Sequence, residues 1–393
     1  MVTQHLALNC RDGFFFKDGR GWATSTMNRA GSYDWPFPPT VLGLVRGAVG
    51  RTLETEQRRV FRKADWVRET ERVTLGVTLP LRRPRGAAAW SSAHRMWPVP
   101  ADALYLEGQK TVHRLEPRPL DGVGTLGRGD DPALEALHWA HVGANAKPLS
   151  PPRWWSDGDF LAWLRGEDLA LDSSATKVEG PSQPRRTDVR LAVAPDTFTA
   201  MESMLYSIEV IEPWERDAQG DAHQWTIGAE VSLPETAAHV PLAEQLYVFG
   251  GNGRGGDADA LAPEVFSAHA GGTGESTRLK LYAVTPAHFT KGWLPEGFVS
   301  DGGVYRGELP KIAGEVILRG AMVPRAAHWS GWNMDKGEPR TTKRLVPAGA
   351  VYVFERADGR AFTATERNDL WLASWGQDTE LGFGRVVAGI SKG

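Results

Sequence analysis

The stretch Leu381-Gly382-Phe383-Gly384-Arg385-Val386-Val387-Ala388-Gly389-Ile390 joins a glycine turn to an apolar run. Val386 to Ile390 reads as a short buried strand, and glycine admits φ > 0 and a close backbone approach. A turn of this kind ahead of a core strand places backbone N–H groups and one cation, Arg385, at a sheet edge, where a phosphate fits. A similar cluster, Gly250-Gly251-Asn252-Gly253-Arg254-Gly255-Gly256, follows the strand-like Gln245-Leu246-Tyr247-Val248-Phe249. Two such turns, each on a strand and each carrying an arginine, suggest one unit used twice.

Working outward, residues 2–10 alternate well enough for a first strand. Val41, Val45, Ala48, Val49 and Leu53 recur at helical spacing, which predicts an amphipathic helix from Thr40 to about Gln57. Pro38 and Pro39 suit a helix start, and the first amides would add to an anion site in the preceding loop. Strands are expected at Asp188–Val193, Met204–Ile211, Gln224–Leu233 and Leu246–Phe249, with a short helical piece near Pro241–Gln245. The remainder repeats this more briefly: strands at Arg278–Thr285, Val316–Val323, Gly349–Glu355 and Arg385–Ile390, a truncated helix at Pro286–Trp293 and a helix at Thr365–Ser374. That split βαβ order is the ferredoxin-like motif. The expected fold is therefore α+β, with two tandem ferredoxin-like (RRM-like) units at 1–270 and 271–393. Residues from 58 to about 185, with proline joints, short strand-like pieces and glycine-rich stretches, read as a large hairpin and loop insertion in the first unit.

Composition narrows the function. The chain has 393 residues, 41% hydrophobic and 24% charged, an ordinary soluble composition. No apolar run reaches the length of a membrane helix, and the start lacks the pattern of a secretory signal, so a cytoplasmic protein is expected. Cys10 is the single cysteine, which rules out an intrachain disulfide and a cysteine-based zinc site. A net charge of −3 argues against a general nucleic-acid binder. Charge is uneven, however: between Arg46 and Arg95 eleven arginines and Lys63 face five acids, either a solvated face or a polyanion track. The 16 tryptophans are expected in cores and subunit contacts.

Catalytic patterns are sparse. His138 and His141, three apart, have no carboxylate at ligand spacing, and neither H-E-x-x-H nor an EF-hand loop is present, so no metal or other cofactor is expected. Gly-x-Ser-x-Gly is absent, and the 250–256 cluster lacks the Gly-Lys-Ser/Thr ending of a P-loop. A metal-free ribonuclease would need a general base such as His5 or His94. Single-stranded RNA fits better, because sheets with aromatics and glycine loops hold it by stacking and phosphate contacts. The cationic candidates are Lys17, Arg20, Arg185, Arg186, Arg190, Arg254, Arg340, Lys343, Arg344 and Arg385. A tryptophan-rich carbohydrate or small-ligand binder is the reading from another class.

Several stretches, in this order, resemble one family: Phe16-Lys17-Asp18-Gly19-Arg20, Trp35-Pro36-Phe37-Pro38-Pro39-Thr40, Pro98-Val99-Pro100-Ala101-Asp102, Gly250–Arg254, Leu281-Tyr282-Ala283-Val284-Thr285-Pro286-Ala287-His288-Phe289, Gly331-Trp332, Pro347–Tyr352 and the closing Gly-Phe-Gly. The chain is similar to the RAMP (repeat-associated mysterious protein) superfamily and, within it, to the third subunit of the Cmr complex, a type III-B CRISPR RNA-guided effector. The resemblance implies a non-catalytic subunit that grips the 5′ tag of the CRISPR RNA and caps the complex in antiviral defence. It implies as partners the large palm-domain subunit and the repeated backbone RAMP subunit, with target RNA met indirectly. Lys17, Arg20, Thr40 and Arg46 would line the tag site, joined by Gly250, Gly251, Arg254, Gly382, Phe383, Gly384 and Arg385 at the glycine loops. The inserted hairpin region would be a thumb separating bases of tag and guide. The alternative is a metal-independent RAMP endoribonuclease that processes CRISPR RNA.

Overall fold

Strand alternation and one long helical stripe account for most of the chain. The computed structural model describes residues 1–17, 29–119, 131–174, 176–249, 253–268, 274–333 and 336–391. Along it run β1 (Val2–Cys10), α1 (Pro38–Glu56), α2 (Lys63–Thr70), β2 (Thr74–Pro84), α3 (Asp157–Leu164), β3 (Arg185–Val193), β4 (Ala200–Ile211), β5 (Ala222–Leu233), β6 (Leu246–Phe249) and β7 (Arg254–Ala260). They continue with β8 (Arg278–Ala283), β9 (Val316–Met322), β10 (Val351–Arg356), α4 (Ala364–Asp369) and β11 (Arg385–Ile390). The architecture is mixed α and β, mostly antiparallel sheet with few helices.

The chain divides into two compact units. Unit 1 comprises residues 1–90, 182–262 and 328–342; unit 2 comprises 91–181, 263–327 and 343–393. This differs from the expected boundary at 270 and from a single insertion at 58–185. Residues 58–90 stay in unit 1 as α2 and β2, whereas 91–181 pack within unit 2.

In unit 1 the long strands lie in the order β7-β1-β5-β2, all antiparallel, with β6 outside β7. Counted along the chain that is fourth-first-third-second. Helix α1 buries Val41, Leu42, Val45, Ala48, Val49 and Leu53 and packs on β2 and β6; each of the valines and leucines contributes about 1.5–3 kcal/mol of transfer free energy. Arg46 works structurally too, donating to the carbonyls of Glu71 (2.7 Å) and Val73 (2.8 Å) and so tying α1 to the segment after α2. The piece expected to be helical near 241–245 is not a helix; a single 3-10 turn, Glu235–Ala237, precedes it. A separate hairpin, β3–β4, has a small core of Phe15, Ala30, Ile208 and Val210 at its base. Farther out it exposes Val189, Leu191, Leu205 and, at 82%, Phe198.

Unit 2 repeats the strand order, β11-β8-β10-β9. Alternation along β8 sends Leu279, Leu281 and Ala283 into the main core, and Arg278, Lys280 and Tyr282 to the other face. That second face is covered. Lys280, 0% exposed, donates to Asp102 (2.9 Å), Glu116 (2.8 Å) and the Leu115 carbonyl (3.2 Å). Tyr282 and Trp163 also donate to Asp102, at 3.2 and 2.9 Å. A second buried pair, Arg95–Asp157 (2.8 Å), anchors the start of α3, where Trp97 stacks on Phe160. These pairs explain why 91–181 belongs with unit 2. The helix expected at Pro286–Trp293 does not form: Ala287 exchanges backbone bonds with Val346 (2.9 Å each way), and the Gln377 amide donates to the His288 carbonyl.

Candidate nucleic-acid interface

The expected site residues gather at three places. In unit 1, the loop from Gly31 to Phe37 collects four of them. Lys17 bridges to Ser32, and the Tyr33 amide donates to the Phe16 carbonyl at 2.7 Å. The Tyr33 hydroxyl donates to the His328 carbonyl at 2.9 Å, which brings in the segment bearing Trp332 (56% exposed) and Arg340. Arg340 is exposed, its amide bonded to the Gly331 carbonyl at 2.7 Å. Phe37, in edge contact with Tyr33 (4.9 Å), leads into α1 and the exposed Thr40. Arg185 pairs with Asp34 of the same loop and with Glu209. Arg20, Gly250 and Gly251 lie outside the described residues.

The start of α1 does not supply amides to an anion. Pro38 and Pro39 have no N–H, and the Thr40 amide donates to the Phe37 carbonyl at 2.9 Å. The expected contribution of the helix N-terminus is corrected on that ground.

The second group surrounds Asp12 and Asp188, at the base of the β3–β4 hairpin. Arg254 is 5% exposed, donating to the Asp12 carbonyl (2.6 Å) and to Asp188 (3.0 Å). Arg186 donates to Asp188 (2.7 Å), to Glu212 and to the Asp12 carbonyl (3.1 Å). The Arg186 bond, and then that of Arg254, hold the Asp188 carboxyl below the usual carboxylate range against a smaller opposing effect of burial. These arginines staple the hairpin to the sheet. Arg190 lies 3.7 Å from Asp188, with its side chain half out of the fold.

The third group is the glycine turn of unit 2. The Gly382 amide donates to the Thr379 carbonyl (3.0 Å), and that of Gly384 to the Pro286 carbonyl (2.8 Å). The Arg385 amide donates to the Thr285 hydroxyl (2.9 Å), which donates to the Gly382 carbonyl (3.0 Å). Phe383 is buried. The Arg385 guanidinium binds the Ser374 hydroxyl (2.5 Å) and the Thr379 carbonyl (3.3 Å). Gly384 sits at φ +68°, and a Cβ there would collide with the Trp375 carbonyl. Three of the amides expected to face a phosphate are thus spent on closing the turn, onto Thr379, Pro286 and Thr285. Beside the turn, Lys343 and His288 both donate to Asp378, at 2.5 and 2.6 Å. Burial acts to raise the Asp378 carboxyl, but the Lys343 and His288 bonds outweigh it and hold it below its ordinary value. Arg344, the next residue, is exposed and makes no ion pair with any described residue.

The histidines weighed for catalysis have local partners. His5 lies 3.2 Å from Glu230 on the neighbouring strand, and His94 accepts the Ser91 amide at 3.0 Å. They belong to different units. Among the described residues no three His, Cys, Asp or Glu side chains cluster for a metal. Burial pushes the Cys10 thiol up to about 11, and it donates to the Gly13 carbonyl. No helix among the described residues is long and apolar enough to cross a membrane.

No curated protein matches the sequence. Distant likenesses occur among solved structures. One is a chain in a cryo-EM structure of the type III-B Cmr-beta bound to cognate target RNA (10% identity, TM-score 0.43, 89% of this chain and 86% of that one). Another is the same assembly with AMPPnP (9% identity, TM-score 0.42, with 89% and 86% covered). A Cas6 product complex matches at 15% identity and TM-score 0.21, over 45% of this chain and 82% of that one. The assignment rests on the sequence instead: the family model for the CRISPR-associated protein Cas_Cmr3 matches residues 6–391, and the chain belongs to that family.

Proposed function

We propose that the chain is a subunit of a type III-B Cmr effector that holds the 5′ tag of the CRISPR RNA and performs no chemistry on it. The observation that carries this reading is the family match from residue 6 to residue 391. The two sheets, each ordered fourth-first-third-second, are read as tandem ferredoxin-like units. Each has lost a different helix: unit 1 keeps the long α1 and reduces its second helix to a 3-10 turn, whereas unit 2 keeps the short α4.

The tag contacts are assigned to cations at loops and at one short strand. In unit 1 they are Lys17 and Arg340, with the Thr40 hydroxyl and the exposed Trp332 on adjoining segments, and Arg20 is added from the sequence motif alone. In unit 2 they are Lys343 and Arg344, which lie not in a loop but in the short strand Lys343–Leu345. Arg46, Arg185, Arg186, Arg254 and the Gly382–Arg385 turn act one step back, shaping the loops and the hairpin. In place of the 58–185 region expected from the sequence, the β3–β4 hairpin, with a pinned base and an apolar outer part, is assigned the thumb role, facing the guide and the repeated backbone subunit. The large palm-domain subunit is the other expected neighbour.

Equilibrium binding of tag RNA against a scrambled-tag RNA, over a salt series, tests the reading. Tighter binding of the true tag, weakened in Lys17→Gln and Arg344→Gln variants, is expected. Equal binding of the two RNAs contradicts it. Specific cleavage of repeat RNA, lost in His5→Ala or His94→Ala, would turn the reading to an endoribonuclease.

A further inference from the structure

The basic stretch that begins at Arg46 is not absorbed by the sites above. Its acids are spent locally. Glu54 accepts the Phe61 amide (2.6 Å), and Glu56 lies 2.9 Å from His239. Asp65 accepts the Arg62 amide (3.0 Å) and pairs with Arg59 (2.9 Å) and Arg68 (2.8 Å); Arg68 also binds Glu69 (2.8 Å). Those bonds, led by the Arg62 amide, hold the Asp65 carboxyl down to about 2. Arg51, Arg58, Arg62 and Arg72 are exposed and make no ion pair with any described residue, while Glu71, exposed beside Arg72, offsets one of them.

We infer that the turn between α1 and α2 is a second contact for an RNA sugar-phosphate backbone, separate from the loop at 31–37. The turn is fixed before any ligand arrives. Arg58 sits at φ +50° with its amide on the Thr55 carbonyl (3.2 Å), at the helix end where a cation is favoured. Guanidinium forks match phosphate oxygens in pairs. A protein partner would need an apolar centre to its contact, and the exposed apolar side chains here are Val60 and Val67. Helix α1 has 19 residues, so the turn lies about 28 Å from the loop at its other end. A short tag RNA at the loop therefore leaves the turn empty, and a longer RNA reaches it.

The test uses the full chain and two RNAs, the tag alone and the tag with its guide, with binding followed by fluorescence anisotropy over a salt series. For the longer RNA, the Arg58→Glu/Arg62→Glu variant is expected to lower the magnitude of the slope of log K against log salt by about 1.4, from about 0.7 for each lost phosphate contact on a single strand. Tag-only binding and thermal unfolding stay unchanged. A longer-RNA slope equal to wild type overturns the proposal, as does loss of a protein neighbour from the variant with that slope intact. This failure is distinct from that of the tag reading, which falls when true and scrambled tags bind alike while the turn variant still loses slope. The Arg58→Gln/Arg62→Gln pair removes the same two contacts without adding negative charge and should lower the slope by the same amount, which separates lost contacts from introduced repulsion.

Discussion

The two sheets share a strand order and differ in what lies over them. In unit 2 the face bearing Arg278, Lys280 and Tyr282 is covered, its charges paired with Asp102, Glu116 and Glu355. In unit 1 the face opposite α1 carries Asn9, His5, Glu230, Asp257 and Asp259, joined by hydrogen bonds such as Asn9 to Asp257 (3.1 Å) and Asp259 (2.9 Å). One face is covered and the other is acidic. Neither is a stacking platform for RNA, which is why the account puts nucleic-acid contacts on loops and one short strand. Strand order alone does not tell which surface of such a sheet is used.

The sharpest way to break this contrast is to open the covered face. Asp102→Ala removes one of the two carboxylates on the buried Lys280 ammonium and the acceptor of Tyr282 and Trp163, and is expected to cost about 3–5 kcal/mol, measured by denaturant unfolding. Amide exchange should rise in β8 and β11 and stay slow in β1 and β5; an equal rise in both sheets would mean that they unfold as one. Asp102→Leu with Lys280→Met should recover only part of the loss, since an apolar pair can replace a buried ion pair but the Trp163 and Tyr282 donors still lack their acceptor.

The glycine turns give a second contrast. Gly384→Ala adds a collision with the Trp375 carbonyl to a backbone at φ +68° and is expected to cost more than about 1 kcal/mol. Gly253→Ala, at φ +59° with open space around it, should cost less. Thermal melts of the two variants decide; a larger loss at Gly253 would remove the argument that the unit 2 turn is a structural latch.

A smaller effect separates the loops by pH. Asp378, held ionised by Lys343 and His288, contributes stability above its unfolded-state pKa that is lost as pH falls through its lower folded value. Asp378→Asn should therefore cost about 1–2 kcal/mol at neutral pH, with the gap to wild type closing in acid. A gap independent of pH would deny the ion pairs a role. Smallest of all, Lys17→Gln, Arg340→Gln and Arg344→Gln should change stability by less than about 0.5 kcal/mol while weakening tag binding. Arg254→Gln should do the reverse, loosening the hairpin base.

Much of the fold was legible, and the failures have causes. Leu246–Phe249 and Arg385–Ile390 are strands with the expected limits because short apolar runs between glycines have few other uses. Strand β7 was missed: Arg-Gly-Gly-Asp-Ala-Asp-Ala is poor in strand formers. It is a strand because Gly256 lets the backbone approach Asn9 and the Phe249 ring, where a side chain would collide. Helix α2 was hidden by the arginines around it, and its cue was Asp65 placed to accept the Arg62 amide. The fate of 91–181 was not readable, since it depends on Asp102 meeting Lys280 across 178 residues.

The candidate site was legible as a set of residues and not as roles. Lys17 and Arg340 lie in loop segments, whereas Lys343 and Arg344 lie in the short strand Lys343–Leu345. Arg46, Arg254 and Arg385 hold backbone carbonyls, and an arginine beside glycines reads the same whether it serves a phosphate or the fold. Trp332, in the Gly331-Trp332 motif, carries no role that the sequence shows, and only its exposure marks it.

Ultraviolet crosslinking of tag RNA to the full chain, with the attached peptides mapped by mass spectrometry, tests the central claim most directly. The account predicts adducts in the peptides carrying Lys17, Thr40, Trp332 and Arg340–Arg344. Adducts confined to the β8–β10 sheet face, or to the strands bearing Asn9 and Asp257, would contradict it.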